Sequence, residues 1–274
     1  MRRSHIMAAV ALMLGVVSVS LIHDVSAGGS TPSDSIVQQI VREFMGMPDL
    51  DLVVTPLADE PLPATQRTCR TADGTAIYAV DQERRIVVVA STPTYGQRAD
   101  TVLDRGQSLQ AASEFASARV EGFGALTLLS EKLEDHGEAG GRHYAFLWGE
   151  RLGSQGALGL QRVAVSVDAA SGAVVSFMQV PATKVTVDVE PKVGSDQALA
   201  IAAKDFGAPV VTSKAELDVW WLQNDRGRPQ ILRWLVTLES DLPVLPEAIG
   251  ERYIPQHASY VIDAHTGDIL EVAR

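Results

Sequence analysis

Apolar and polar positions repeat one pattern at three places in the chain. Each place has an apolar strand that ends in Asp, a short polar turn and a second apolar strand. The three segments are Tyr78–Val87, Val165–Val174 and Tyr260–Ile269. Apolar alternation on both sides of a polar turn predicts a β-hairpin at each place.

Two of these hairpins carry the same turn residues. Asp168 and Asp263 end the first strand, and Gly172 and Gly267 follow four residues later. Asp accepts hydrogen bonds from turn amides, and Gly supplies the positive φ that closes the loop. We therefore predict positive φ at both glycines and interpret all four residues as structural turn residues, not as catalytic groups. Arg85 stands at the Gly position of the first hairpin, which predicts a different or strained turn there.

An amphipathic helix is predicted before each hairpin, because apolar residues recur at helical spacing and a Ser or Asp stands at each start. The predicted helices are Ser35–Met45 after Ser33-Asp34, Leu109–Val120 after Ser108, and Asp196–Phe206 after Ser195. Gly207 is expected to end the third helix. A single apolar stripe on each helix is enough to cover one face of a sheet.

Further alternating strands lie between the third predicted helix and the last hairpin. If Asn224 faces Pro229, then Trp221 pairs with Leu232, and the apolar side chains of both strands share one face. A slip of one residue would expose the whole apolar set, so this register is self-consistent.

Trp220 falls on the opposite face of the same strand, across from Arg233 in this register. Two interpretations stay open. Either Trp220 is an exposed aromatic anchor for a protein partner, or it belongs to a structural cation–π pair with Arg233 or to a surface shared between neighbouring repeats. The structural interpretation is favoured, and both residues are kept as candidate partner contacts.

These patterns together predict an α+β fold of tandem repeats, each with one helix packed across an antiparallel sheet of about four strands. The expected domains are a signal peptide over residues 1–27, a diverged repeat over 28–100, and two clearer repeats over 101–183 and 184–274.

The N-terminus has the parts of a secretory signal peptide. A basic start at Arg2 and Arg3 is followed by the apolar run Ile6–Ile22 and by small residues at Val25 and Ala27. We expect cleavage after Ala27 and a secreted or cell-envelope location, with no membrane attachment after cleavage. An uncleaved membrane anchor stays the alternative, because the apolar run is only a few residues shorter than the roughly 20 that span a membrane.

The helix starts and closing hairpins resemble those of the PepSY family. Its opening motif is found as Ser195-Asp-Gln-Ala198 with Ile201-Ala202, and as Ser108-Leu-Gln-Ala111 with Phe115-Ala116. Its closing motif is found as Tyr260–Ile269 and as Val165–Val174. The resemblance covers residues 105–274, and residues 34–92 look like a more diverged copy.

The PepSY resemblance carries expectations about function. The family is known from propeptides of thermolysin-like secreted metalloproteases and from free-standing envelope proteins, and it is thought to hold or inhibit protease partners. It has no family-wide catalytic residue. The resemblance therefore implies a non-catalytic binding or regulatory protein that inhibits or chaperones a protein partner such as a secreted peptidase.

Composition narrows the classes of function. With 46% apolar and 21% charged residues, the chain is globular. A formal net charge of −11 argues against nucleic acid and against docking on an anionic membrane. The single cysteine, Cys69, excludes an intramolecular disulfide and any multi-cysteine metal site. We interpret Cys69 as a half-buried strand thiol without a role.

No motif predicts a catalytic, metal or cofactor site. The histidines after the signal peptide are His136, His143, His257 and His265, and none belongs to a His-Glu-x-x-His helix. The leading expectation is a non-enzyme that binds a protein. The rivals are an envelope hydrolase with an unrecognised site and a membrane-anchored structural domain. A pocket that united His143, His257 and two carboxylates would favour the hydrolase.

Overall fold

The computed structural model describes residues 32–55, 66–92, 103–136, 141–222, 229–241 and 256–273. The α-helices of this part of the chain are α1 (Pro32–Met45), α2 (Arg105–Ser117) and α3 (Ser195–Phe206). Its strands are β1 (Leu52–Thr55), β2 (Gln66–Thr71), β3 (Ile77–Asp81), β4 (Ile86–Ser91), β5 (Thr127–Asp135), β6 (Arg142–Leu152), β7 (Ala157–Asp168), β8 (Val174–Val180), β9 (Thr212–Trp221), β10 (Gln230–Glu239), β11 (His257–Asp263) and β12 (Ile269–Ala273). None of the described helices is long and apolar enough to span a membrane.

The twelve described strands form one mixed sheet. Its order is β1-β2-β3-β4-β8-β7-β9-β10-β11-β12, with β6 and then β5 branching from β7. The pairing of β7 with β9 is parallel, at Leu158 and Asp218, and the other ladders are antiparallel. The predicted fold class, an α+β fold of tandem repeats with one helix packed across a roughly four-stranded antiparallel sheet, is therefore wrong, because the described strands form one large mixed sheet. The predicted domain boundaries remain a prediction.

The ladder between β4 and β8 explains part of this difference. Val89, Ala90 and Ser91 pair with Met178, Phe177 and Ser176. Ala90 and Phe177 are both buried in one apolar core that also contains residues of α1 and α2. Pairing the two strands removes two open sheet edges and buries apolar surface. Local alternation predicts a strand but does not say which distant edge it pairs with.

An aromatic cluster ties α1 and α2 to the same core. The ring centroids of Phe44 and Phe115 are 5.7 Å apart, and Phe177 of β8 lies 5.2 Å from Phe44. Edge-to-face and tilted rings at these distances are favourable beyond their buried area. Arg119 lies over the Phe115 ring at 3.9 Å and donates a hydrogen bond to the Phe44 carbonyl oxygen.

The helix ends agree with the sequence only in part. Asp104 caps α2, because its carboxylate accepts from the Gln107 amide at 2.8 Å while the Gln107 side chain accepts from the Asp104 amide. The predicted start at Ser108 is therefore wrong, and Ser108 is buried inside the helix. Gly207 ends α3 with φ +70°, as predicted.

Strand β7 is where the sheet forks. Strand β6 lines one side of β7 from Ala157 to Asp168. On the other side, β8 pairs with Arg162–Val167, and β9 pairs at Leu158. Strands β8 and β9 therefore follow one another along the same side of β7, and the two branches of the sheet meet near Arg162.

Candidate functional site

The turn residues predicted from the sequence lie where the pattern placed them. Gly172 has φ +77° and Gly267 has φ +83°, which confirms the prediction of positive φ. The Asp168 carboxylate accepts from the Ala170 amide at 3.0 Å, and Asp263 accepts from the His265 amide at 2.7 Å. Both carboxylates are thus held by their own turns, which is a structural role.

Arg85 has φ +53°, a left-handed conformation that is unfavourable for a residue with a Cβ. The first hairpin turn is therefore strained, as its missing glycine predicted. The Asp81 carboxylate of this turn accepts from the Arg84 amide at 3.1 Å, as its counterparts do in the other two hairpins.

The predicted register of β9 and β10 is wrong by two residues. Trp221 pairs with Gln230, Trp220 with Ile231, and Asp218 with Arg233. The strands end earlier than expected, so the connection between them is longer; the predicted turn residue Asn224 lies outside the described residues. A shift of two residues keeps every side chain on its predicted face, because side chains alternate with a period of two.

Trp220 and Arg233 therefore meet diagonally, in a cluster built around Asp218. Arg233 Nε donates to Asp218 Oδ1 at 2.8 Å, and Arg162 Nη2 of β7 donates to Asp218 Oδ2 at 3.0 Å. The guanidinium carbons of Arg162 and Arg233 lie 5.2 and 5.5 Å from the centre of the Trp220 ring. Both contacts fall within the range of cation–π attraction.

This cluster is buried. The Asp218 side chain is 0% exposed, and those of Arg162 and Arg233 are 4% and 9% exposed. The cluster connects β7, β9 and β10 at the fork of the sheet. The ladder between β7 and β9 contributes only one residue pair there, Leu158 with Asp218. Sequence reasoning did not single out Arg162 or Asp218. The sequence pattern that could have found them is a charged residue in the middle of an apolar strand. Such a residue is expected to be buried, and a buried charge needs a partner.

The other polar residues considered from the sequence are not brought together into one site. His143 lies on β6 and His257 on β11, and these strands are not neighbours in the sheet. His136 and His143 have ring centroids 4.8 Å apart near the end of the β5–β6 hairpin. Across the described residues, no group of three or more His, Cys, Asp or Glu is arranged to hold a metal ion.

Cys69 is fully buried on β2, not half-buried as expected. Burial raises the pKa of its thiol to about 11, partly offset by the positive charge of Arg42. At neutral pH the thiol is protonated and therefore a poor nucleophile.

Three of the described strands, β1, β5 and β12, pair with only one neighbouring strand, and they differ in chemistry. Strand β1 has four residues. Strand β5 is longer but carries charged residues, among them Glu131 and Lys132, which discourage pairing with another chain. Strand β12 has a mainly apolar sequence and is paired on one side, with β11.

The exposed side chains of β12 are large and apolar. Ile269 is 38% exposed, Leu270 41% and Val272 38%. Ile269 pairs with Ile262, and Val272 pairs with Tyr260. Because directly paired residues share a face of the sheet, Ile269 and Val272 lie on the face that α3 covers elsewhere.

A bulge creates this arrangement. The register between β11 and β12 shifts at Val261/Ile262, which leaves Leu270 as the extra residue. Without the bulge, residues 269 and 272 would point to opposite faces. Glu271 pairs with Val261 and therefore points to the other face. The consecutive apolar residues Ile269 and Leu270 were the sequence signal for an exposed apolar edge.

Helix α3 makes its main packing contacts with other strands. It packs on β9, β10 and β11. At the turn before β12, a Cβ on Gly267 would lie 3.3 Å from Ile201 Cδ1 of α3. We take β12, with its exposed apolar side chains and its outer main-chain groups, as the candidate functional site. For brevity we call Ile269–Ala273 the free edge.

Comparison with known proteins does not establish a family. No family profile and no curated protein sequence matches the chain. Among solved structures, the Bacillus megaterium YpeB C-terminal domain has a TM-score of 0.46 at 13% identity, covering 89% of this chain and 98% of that chain. An uncharacterized protein from Eubacterium rectale has a TM-score of 0.43 at 10% identity, covering 89% of this chain and 83% of that chain. Neither likeness is strong enough to indicate a function for this chain.

Proposed function

We propose that this chain is a non-catalytic binding or regulatory protein that works outside the cytoplasm and holds a protein partner at the free edge. The observation that carries the proposal is the exposure of Ile269, Leu270 and Val272 on an open edge strand. The PepSY resemblance of the sequence adds a class of partner, a secreted peptidase that the chain inhibits or chaperones.

Strand addition explains how such an edge binds. An extended segment of the partner pairs its main chain with the outer N–H and C=O groups of β12, and its side chains on one face pack against Ile269 and Val272. Burying about 40% of each exposed apolar side chain adds a favourable hydrophobic contribution to the main-chain pairing. Neither step needs a catalytic group.

The test compares two valines on opposite edges of the sheet. Val272 of β12 is 38% exposed and Val53 of β1 is 36% exposed. The chain from residue 28 onward, carrying Val272→Lys or Val53→Lys, is used to capture proteins from the culture supernatant and the envelope fraction. We expect a protein that binds the unchanged chain to be retained by Val53→Lys and lost by Val272→Lys.

Capture must then be reproduced with the purified partner. Retention of the partner by the folded Val272→Lys chain would contradict binding at the free edge. Turnover of a peptide or ester substrate by the purified chain, with no partner retained, would favour the hydrolase alternative.

Export is tested separately. We expect the intact mass of the secreted protein to lack residues 1–27. A mass that retains them, in a membrane fraction, would instead support a membrane-anchored domain.

A further inference from the structure

We infer that the segment accepted by the free edge is an apolar and basic strand, with apolar side chains toward the α3 side and Lys or Arg toward Glu271. This inference rests on the proposed function, because it names the chemistry of the partner at the same strand. Its basis is that the two faces of β12 differ, since one exposes apolar side chains and the other exposes a carboxylate.

On the α3 side of the sheet, the side chains of the added strand should be apolar. Ile269 and Val272 both point to this face and are each 38% exposed. Behind them, Tyr260 and Ile262 of β11 are buried in the core under α3. An added strand with apolar residues on this side extends that core outward by one strand.

The molecule already contains a joint of this kind. At the β4–β8 ladder, three residue pairs join two strand edges, and the residues on the helix side, Ala90 and Phe177, are buried. A short ladder with one apolar face thus already joins two strands within this chain. The free edge offers a ladder of similar length.

On the opposite face, the side chains of the added strand should be positively charged. Glu271 is exposed on this face, and the adjoining turn carries Asp268, which is also exposed, and Asp263. The chain as a whole has a net charge of −11. A cation directly across from a carboxylate stabilises a strand pair, whereas a like charge destabilises it. Long-range attraction also raises the association rate of a basic partner with an acidic protein.

The same charges argue against a second copy of this chain as the occupant. Two copies would each carry a net charge of −11. Pairing β12 with itself would also place two Glu271 side chains near one another on the same face. A partner of opposite charge is therefore favoured over self-association.

The experiment uses synthetic peptides, since no natural partner is needed. A fluorescent peptide with alternating Val and Lys is compared with one of alternating Val and Glu, by anisotropy, with the chain from residue 28 onward. We expect the basic peptide to bind about three to ten times more tightly at low salt, with the difference shrinking at high salt.

A charge swap locates the preference. Glu271→Lys should weaken the preference most, and Glu271→Gln should weaken it about half as much, because the net charge and Asp268 still favour the basic peptide. Glu83→Lys is the matched control, because Glu83 is an exposed residue of the β3–β4 turn and its replacement changes the net charge equally. Circular dichroism verifies that each variant is folded.

Three results would overturn the inference. The first is the same peptide preference in Glu271→Lys and Glu83→Lys. The second is that neither peptide binds; the proposed function would then still be judged by its own Val272→Lys capture experiment. The third is concentration-dependent dimerisation in sedimentation that Val272→Lys abolishes, which would assign the edge to a second copy.

Discussion

Replacing Asp218 by Asn should be among the most destabilising single changes in the chain. Asp218 is fully buried and accepts hydrogen bonds from two arginines that are themselves buried, at 2.8 and 3.0 Å. The change keeps the side-chain volume, so no cavity is created. It removes the negative charge of the carboxylate that accepts hydrogen bonds from both guanidiniums. Removing one partner of a buried ion pair typically costs about 3–5 kcal/mol.

The assay is urea unfolding of the chain from residue 28 onward, followed by circular dichroism, with thermal unfolding as a second measure. For a protein of this size, 3–5 kcal/mol corresponds to a fall in Tm of roughly 6–20 °C. Glu83→Gln, an exposed carboxylate changed in the same way, is the control and should shift the free energy of unfolding by less than about 0.5 kcal/mol.

A rescue variant separates charge from packing. Arg162→Met, Asp218→Leu and Arg233→Met together replace the ionic cluster by apolar side chains, which in other proteins is neutral or stabilising. We expect the triple variant to regain most of the stability that Asp218→Asn loses. A loss below about 1 kcal/mol for Asp218→Asn would refute the argument that this carboxylate holds the fork together. A triple variant less stable than the single variant would refute its electrostatic basis.

Three further predictions concern stability and reactivity. Trp221→Ala should lower the free energy of unfolding in urea by about 3–5 kcal/mol, because Trp221 is buried in the core under α3. Trp220→Ala should lower it by about 1–2 kcal/mol, because the change removes the cation–π contacts of Trp220. Equal losses for the two variants would contradict the alternation of faces. Gly172→Val and Gly267→Val should each cost about 1–3 kcal/mol by the same measurement, since both positions have positive φ; a loss near zero would contradict those turns. Cys69, with its thiol pKa raised by burial to about 11, should react slowly with a thiol reagent at pH 8 and rapidly in urea. In the unfolded chain the Cys69 thiol is exposed to solvent and has an ordinary pKa near 9.0. The stability that the buried, protonated thiol contributes should therefore be present below pH 9 and be lost as the pH rises toward 11. Fast labelling of the folded chain by the thiol reagent would contradict the burial of Cys69.

Local patterns predicted the elements better than their connections. The turn signals at Gly172 and Gly267 and the stop at Gly207 depend on a few neighbouring residues, and the structure agrees with them. The start of α2 was missed because Asp104 and Ser108 are both competent caps, and the reciprocal bonds between Asp104 and Gln107 decide between them.

Pairing between distant strands was not predictable from the alternation. The face of each residue in β9 and β10 follows from a period of two, but the register depends on the length of the connection, so Arg233 came to pair with Asp218 instead of Trp220. At the fork of β7, Arg162 forms a buried salt bridge with Asp218, and the two residues are far apart in sequence. The candidate site was missed for a related reason, because the exposure of β12 depends on which strands α3 packs against.

Hydrogen–deuterium exchange of the complex tests the central claim most directly. The purified partner, identified by its loss in the Val272→Lys capture, is added to the chain from residue 28 onward, and exchange is compared with that of the free chain. Strand addition predicts slower exchange of the β12 amides over Ile269–Ala273, with little change in the edge strands β1 and β5. Unchanged exchange in β12, with protection appearing in β1 or β5, would contradict binding at the free edge.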